Sequence, residues 1–309
     1  MWTTQKFFRH NAGSTQEREK NMNILVIGGH PADVFDHAGG TLAHHVQNGD
    51  HVTCLALTQG LRVHDIVVSE VFRFGTEGYS EEQIQKICEE REEAKCQEIR
   101  DACAVFGITD VRFLRYDDKM LQVTMDHIDS VAKVIRDVKP DLIITHHPHS
   151  FGNVTNHHGN AGKIALDGAA LAGTVDFDDP NPAWRTPQFA FMINPGETTG
   201  HDCLTGAFPV APNYYVDVTD VVDLKVKALD IMKSQQYEGP YGRKSVESWN
   251  GCFGFYSACS YAEAFACLKP PVEKLIHVPE HWLIRANEPE LTKRTRDTQL
   301  LAYKVPYEG

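Results

Sequence analysis

The chain has 309 residues, of which 30 are Lys or Arg and 42 are Asp or Glu, so its formal net charge is −12. This length allows one large α/β domain with an appendage. The acidic balance argues against a nucleic-acid-binding surface. No run reaches the ~18 apolar residues that a membrane-spanning helix requires. The eight cysteines form no Cys-x-x-Cys pair, which favours a reducing compartment over a disulfide framework. We therefore expect a cytoplasmic protein that binds neither nucleic acid nor membrane.

Short apolar runs alternate along the chain with longer amphipathic segments. The runs predict strands at 24–29, 51–58, 111–116, 141–147, 189–194 and 214–219. The amphipathic segments predict helices at about 39–47, 80–106, 125–138 and 158–173, and one that follows the last strand through about Lys233. Ser80 and Gln83 form a capping box at the start of the long helix, and Gly107 supplies its stop.

Strands separated by helices indicate βαβ units and a mostly parallel sheet. We expect a Rossmann-like, doubly wound α/β core over 23–173, with helices on both faces of the sheet. The remainder of the chain adds strands, a helix and a wrapping tail over 269–309, which makes it a C-terminal extension and not a separate domain. Residues 1–22 lack the apolar core of a signal peptide, and we expect a flexible N-terminal arm there.

Two loops of this core carry an unusual concentration of metal-binding residue types. The loop after strand 1 contains His30, Asp33, Asp36 and His37. The loop after strand 4 contains five histidines within 13 residues, namely His146, His147, His149, His157 and His158. In the usual doubly wound order strands 1 and 4 are neighbours, so both loops open on the same crevice. Imidazole and carboxylate ligands that leave one position for water are typical of a catalytic zinc site.

A phosphate-binding loop is the other interpretation of the glycine-rich stretch "GGHPADVFDHAGG". It is disfavoured because the stretch has no GxGxxG motif, and because Pro31 removes a backbone donor that an anion would need.

Several motifs in order along the chain resemble the PIG-L/LmbE superfamily of zinc-dependent deacetylases. They are "GHPADVFDHAGGT" from Gly29, "REEA" at 91–94, "FLRYDD" at 113–118, "HHGNAGKIALDGA" at 157–169 and "YAEAF" at 261–265. The resemblance covers roughly 23–268, and we expect this range to be one catalytic α/β domain.

The resemblance implies a metal site formed by His30, Asp33 and His158, with His157 and His146 as alternatives to the last. The implied metal is Zn²⁺, although this set of ligands suits other divalent ions too. The implied substrate is a small molecule, and formation of a homo-oligomer stays open. Since protonated imidazole cannot bind a metal, activity should fall below about pH 6.

Arg91 is the substrate contact that the resemblance implies. The apolar stripe of the helix at 80–106 places Arg91 on its inward face, where a cation needs a partner. That partner is a substrate oxygen or, alternatively, a structural carboxylate. Asp117 and Asp118 end strand 3 on the same rim, where they can bind substrate, orient a ligand histidine or serve only as turn residues.

Three positions depart from the family pattern. Ala32 stands where the family has its general base, and Thr155 stands where a histidine opens the second motif. Val34 also replaces an acidic residue. Positioned acid–base catalysis is worth roughly 10²–10⁴-fold, so a deacetylase would need a relocated group. The candidates are Asp36, His37, His147, His149 and His157, and Asp118 lies on the same rim.

Three hypotheses remain open at this point. The first is a zinc-dependent N-deacetylase of a small polar substrate that uses a relocated base. The second is a zinc-dependent hydratase or lyase of an unsaturated oxo-carboxylate, because the 4-oxalomesaconate hydratase of the superfamily is similar in its His-x-Ala-Asp loop. Arg91 would suit such a substrate. The third is a metal-binding homologue without catalytic activity.

Overall fold

The computed structural model describes residues 21–149, 156–193 and 211–301. Its centre is a seven-stranded sheet with the order β3-β2-β1-β4-β5-β7-β6. The strands are β1 Asn23–Gly28, β2 His51–Thr58, β3 Asp110–Tyr116, β4 Leu142–His146, β5 Gln188–Met192, β6 Tyr214–Asp217 and β7 Ala262–Cys267. The pairs among β1 to β5 are parallel, and β7 pairs antiparallel with both β5 and β6.

Helices connect the strands and continue beyond the last one. They are α1 Asp33–Asp36, α2 Gly39–Gln47, α3 Leu61–His64, α4 Ile66–Phe72, α5 Glu81–Val105, α6 Met125–Val138, α7 His157–Ala172, α8 Val222–Ile231, α9 Pro240–Ser257, α10 Glu280–Arg285 and α11 Glu290–Asp297. A short 3₁₀ turn spans Lys233–Gln235. Within the described ranges, no helix combines the length and the apolar character needed to cross a membrane.

Both faces of the sheet are buried, as the doubly wound prediction requires. Alternate residues of β1 enter two different hydrophobic clusters, Ile24 and Val26 on one face and Leu25 and Ile27 on the other. Because successive strand residues point to opposite faces, the clusters are the two helix–sheet layers. The predicted α/β class and mostly parallel sheet are thereby confirmed.

The local signals for the long helix are confirmed. The Ser80 hydroxyl accepts a hydrogen bond from the Gln83 backbone, and the Gln83 side chain accepts one from the Ser80 backbone. Gly107 ends the helix with φ +84, a left-handed conformation that glycine adopts without steric cost. The short helices α3 and α4 lie between β2 and the long helix.

The C-terminal extension is built into the sheet and not merely wrapped around it. On β7, the buried Glu263 carboxylate accepts hydrogen bonds from the backbone of Gly40 at 3.0 Å and Thr41 at 2.8 Å. The Lys225 ammonium lies 3.0 Å from the same carboxylate. A carboxylate at the first turn of α2 satisfies two otherwise unpaired amides and complements the helix dipole. Residue 263 thus fixes the helix that follows the His30 loop.

The proposed division at residues 22 and 268 stays a prediction. Of the expected arm over 1–22 only Asn21 and Met22 lie within the described residues, and 302–309 of the expected tail lie outside them.

Candidate metal centre

The first half of the site is the sharp turn that leaves β1. The His30 backbone donates a 2.6 Å hydrogen bond to Asp33 Oδ2, so the carboxylate folds back over the turn. A Cβ at Gly28 would lie 2.8 Å from the Asp33 Cβ, which is closer than side chains tolerate. The glycine therefore allows His30 and Asp33 to occupy one corner, with both side chains largely buried.

The second half comes from the start of α7. His158 lies in its first turn and brings Nε2 to 3.5 Å from Asp33 Oδ2. The helix approaches β4 so closely that a Cβ at Gly162 would lie 2.3 Å from the His146 carbonyl oxygen. The absence of a side chain at Gly162 therefore allows this approach. One ligand atom from each of His30, Asp33 and His158 lies within 4.8 Å of the other two. The structure thus brings together the three predicted metal ligands.

The charge state of Asp33 suits a cation. Burial acts to raise the pKa of Asp33, but the imidazoles of His158, His146 and His30 outweigh it and hold that pKa well below its usual range. The carboxylate is therefore ionised at neutral pH. An ionised buried carboxylate requires positive charge or hydrogen-bond donors around it.

The donor atoms fit a divalent metal ion. His30 Nδ1 is buried and has no hydrogen-bond partner among the described residues, while it lies 3.3 Å from Asp33 Oδ2. Two imidazole nitrogens and one carboxylate oxygen form a ligand set that zinc accepts with one position left for water. The same set accepts other divalent ions of the first transition row.

A second group of histidines supports the ligands from behind. His157 is buried, and its Nδ1 lies 2.9 Å from His30 Nε2 in a hydrogen bond. His146 Nε2 lies 3.1 Å from Asp33 Oδ2, and its ring stacks on His158 at 4.0 Å between centroids. Such outer contacts orient metal-binding side chains and fix their tautomers. The catalytic role predicted for His157 stays a prediction, and its observed contact is with His30, a predicted ligand.

His64 is a site residue that the sequence analysis missed. Its ring meets that of His30 edge-on, at 4.4 Å between centroids. Burial first, and then the neighbouring His30, lowers the pKa of His64 to about 3, so its imidazole is neutral. A signal was available, because His64 follows β2, whose carboxyl end lies beside that of β1.

Asp118 fixes the helix that carries His64. Its buried carboxylate accepts hydrogen bonds from the backbone of Arg62, at 3.1 and 3.0 Å, and of Val63, at 3.0 Å. These amides belong to the first turn of α3, so the contact is a helix cap supplied from another element. Asp117 pairs with the exposed Arg62 guanidinium at 2.7 and 2.9 Å. The predicted proton-transfer role of Asp118 and substrate role of Asp117 stay predictions.

The inward face predicted for Arg91 holds a carboxylate. Arg91 donates to the fully buried Asp65 at 3.0 to 3.3 Å, and Asp65 also caps α4 through the Val68 backbone at 3.0 Å. Lys95 is likewise fully buried and donates to the Gly60 carbonyl at 2.8 Å. The observed partner of Arg91 is thus the structural carboxylate, and its contact with a substrate stays a prediction.

Aromatic residues of the C-terminal extension complete the outer side of the centre. The His37 ring lies 6.4 Å from that of His158 and 5.9 Å from that of Trp249 on α9. Asp36 is buried beside Tyr237, whose pKa is raised well above its usual value by burial and then by the Asp36 charge. Trp249 and Tyr237 follow the core motifs by many residues, and no local pattern pointed to them.

Comparison with known proteins agrees with the resemblance that the sequence motifs indicated. Residues 25–168 match the family model PIG-L, described as GlcNAc-PI de-N-acetylase. A 1D-myo-inositol 2-acetamido-2-deoxy-alpha-D-glucopyranoside deacetylase of Kribbella flavida is 24% identical over 281 residues, covering 75% of this chain and 89% of that protein. A 4-oxalmesaconate hydratase of Pseudomonas putida is 25% identical over 237 residues, covering 72% and 80%. The crystal structure of 4-carboxy-2-hydroxymuconate hydratase from Pseudomonas putida superposes with a TM-score of 0.62 at 20% identity, covering 83% of this chain and all of that one.

These relatives and the site define the class of this chain, which is an enzyme of hydrolase or hydro-lyase type. Residues 25–168 match the PIG-L family model, and the relatives support the resemblance to the PIG-L/LmbE superfamily. The resemblance read from the motifs is thereby confirmed.

Proposed function

We propose that this chain is a zinc-dependent N-deacetylase that hydrolyses the amide of a small polar substrate in the cytoplasm. The observation that carries the proposal is the convergence of His30, Asp33 and His158 within 4.8 Å in a domain whose family is that of a de-N-acetylase. In this role the three side chains would hold the metal, and His157 would fix the orientation of His30 through its 2.9 Å contact.

A zinc ion bound there would supply a water of lowered pKa and polarise the substrate carbonyl. The protein must then accept a proton from the water and deliver one to the leaving amine. Since Ala32 offers no carboxylate, we assign these transfers to side chains that border the centre. His37 and His64 are imidazoles on its two flanks, and Asp36 is a buried carboxylate one turn beyond Asp33. The position of Thr155 lies outside the described residues.

The pairing of the nearby cations favours a neutral amide over a substrate with several carboxylates. In the described part of the chain, Arg91 is tied to Asp65, Lys95 to the Gly60 carbonyl and Lys225 to Glu263. A site for an oxo-dicarboxylate would need a cation available to the substrate.

Hydration of an unsaturated oxo-carboxylate is the second candidate, and Ala32 is the observation that favours it. Ala32 removes the group that the family pattern uses as the base of amide hydrolysis, and the Pseudomonas putida hydratase is a relative at 25% identity. A metal-binding homologue without activity is the third candidate, because Ala32 leaves the usual position of the base without a proton-accepting group.

Metal analysis combined with two assays separates the three. Purified chain loaded with zinc is incubated with N-acetylated amino sugars, while released acetate is measured. It is then incubated with unsaturated oxo-dicarboxylates, while the diene absorbance is followed. The matched variants are His158→Asn, which removes a proposed ligand, and His51→Asn, which changes an exposed histidine at the start of β2.

Acetate release that His158→Asn abolishes and His51→Asn preserves is the expected result. Loss of diene absorbance without acetate would replace the proposal by the hydratase. Stoichiometric zinc with neither reaction would support the homologue without activity.

A further inference from the structure

Lys95 of α5 is a fully buried lysine that has no part in the metal ligands or in the proposed proton transfers. Its side chain is 0% exposed, although an ammonium group is among the most costly groups to remove from water. Its Nζ donates a 2.8 Å hydrogen bond to the Gly60 carbonyl oxygen and lies 4.0 Å from Asp65 Oδ2. These two contacts show what the buried charge holds in place.

The two partners of Lys95 flank one short helix. Gly60 immediately precedes α3, and Asp65 immediately follows it. Because α3 has only four residues, its own hydrogen bonds are too few to stabilise it, and contacts from other elements must fix its position. Lys95 thus reaches both ends of α3 from a single point on the long helix α5.

The start of α3 packs against the turn that carries two of the predicted metal ligands. Gly60 has φ +65, and a Cβ at this position would lie 2.6 Å from Pro31 Cδ and 3.6 Å from Lys95 Cδ. Gly60 therefore lies between the Pro31 ring and the Lys95 side chain. The hydrogen bond from Lys95 fixes the peptide that contacts the residue next to His30.

The end of α3 contacts a predicted ligand directly. His64 is the last residue of α3, and its ring meets that of His30 edge-on at 4.4 Å between centroids. Since metal-binding histidines depend on outer contacts for their orientation, the position of α3 affects the orientation of His30.

We propose that Lys95 is a positioning residue of the candidate metal centre, because its ammonium fixes α3 at both ends and thereby keeps the His64 ring against His30. The inference rests on the proposed function, which places His64 among the imidazoles that border the reacting centre. Lys95 itself has no contact with the substrate in this role.

The role belongs to the charged form of Lys95 and should therefore depend on pH. Burial lowers the pKa of Lys95 from its ordinary value of 10.5 to about 8, although the nearby carboxylates act to raise it. A charged donor forms a hydrogen bond about twice as strong as a neutral one, and a neutral amine is not attracted to the Asp65 carboxylate. Lys95 thus holds α3 firmly at neutral pH and less firmly above about pH 8. The charged and titratable groups around Lys95 are Asp65 and His64 at the end of α3, Asp118 after β3, and Arg91 and Glu98 of α5 itself.

The effect of Lys95 on global stability has the opposite sign. Because the pKa of Lys95 is lowered on folding, the unfolded chain binds more protons than the folded chain between about pH 8 and 10.5. The free energy of unfolding that this group contributes therefore rises with pH over that window. A movement of α3 in the same window reports a local change and not the onset of unfolding.

NMR of the metal-free, full-length chain with labelled lysine and histidine side chains tests the proposal. The His64 ring resonances, identified by their absence from His64→Phe, should shift together with the Lys95 side-chain resonances, with a common midpoint near pH 8. The pKa of His64 itself is about 3, so its own protonation does not contribute there. Lys95→Met should abolish the shift of His64.

Lys225→Met is the matched control. It removes another buried lysine, one that pairs with Glu263 at 3.0 Å and not with α3, so the shift of His64 should be retained. Persistence of that shift in Lys95→Met would overturn the proposal. If Lys95→Met does not fold, the wild type alone decides, because midpoints of Lys95 and His64 that differ would also overturn it.

The acetate assay separates this inference from the proposed function. In a deacetylase, kcat should fall above about pH 8 with the midpoint of the Lys95 titration, while KM stays unchanged, because Lys95 positions a group at the centre and does not bind substrate. A chain that releases no acetate at any pH would refute the proposed function, whereas the NMR titration would still decide the role of Lys95.

Discussion

Removing the imidazole behind His30 should weaken metal binding without touching a metal ligand. The variant is His157→Leu, which deletes the partner of His30 Nε2 in a 2.9 Å hydrogen bond. Both rings are essentially inaccessible to water, with His157 at 0% and His30 at 1% exposure. No solvent can therefore replace the lost partner.

The magnitude follows from that burial. Leaving a buried polar atom without its partner costs about 1–3 kcal/mol. This cost reduces the free energy of metal binding, because the metal requires His30 to be held in one orientation. Loss of an outer partner of a ligand histidine typically lowers metal affinity by about 10- to 100-fold. The two figures agree, since 1.4 kcal/mol corresponds to about tenfold.

Competition with a chromophoric chelator measures the zinc affinity. His157→Asn retains an acceptor near the position of Nδ1 and should recover much of the lost affinity. The exposed control His51→Asn should bind zinc as tightly as the wild type. A zinc affinity of His157→Leu within about twofold of the wild type would refute this account of the His30 contact.

Three further substitutions probe neighbouring features. Ala32→Asp, at a position 2% exposed, should raise acetate release by about 10²–10⁴-fold if the chain is a deacetylase that lacks its usual base; an unchanged rate in the acetate assay would argue for the hydratase. Arg91→Met should lower the free energy of unfolding by about 1–3 kcal/mol in denaturant titrations, because it leaves the buried Asp65 carboxylate with weaker partners. The matched control Arg73→Met, at a side chain that is 65% exposed, should change the stability little, and a raised KM with unaltered stability would instead indicate that Arg91 contacts the substrate. His64 has a pKa of about 3 in the folded chain, against 6.5 when unperturbed. Its contribution to stability is therefore complete above pH 6.5 and is lost as the pH falls toward 3. The loss in the free energy of unfolding is at most about 1.4 kcal/mol per pH unit. His64→Phe should flatten the acid limb of unfolding curves recorded on metal-free chain, and an equally steep limb would contradict the assignment.

The core and the convergence of His30, Asp33 and His158 could be predicted because their signals are local. The turn after β1 and the start of α7 each have a sequence pattern only a few residues long. The strand order then brings them together. The three predicted ligands His30, Asp33 and His158 accordingly meet in the structure.

Residues whose position depends on tertiary packing escaped the same reasoning. His64 lies on a helix of four residues, which is too short to show a period, and a cap from Asp118 holds that helix. Trp249 reaches His37 from α9, more than 200 residues along the chain. The sequence left two possible partners for Arg91, a substrate oxygen and a structural carboxylate. The position of Arg91 on its helix did not identify Asp65 as that carboxylate.

The contact between Glu263 and the first turn of α2 has a consequence for biosynthesis. The helix that follows the metal-binding turn receives its cap from a residue 223 positions downstream of Gly40. During translation the turn emerges from the ribosome long before that carboxylate exists, and domains fold as units while they are made. The N-terminal half of the chain must therefore wait with the first turn of α2 uncapped until β7 has left the ribosome. Binding of a metal at this turn should thus be a late event that follows release of nearly the whole polypeptide.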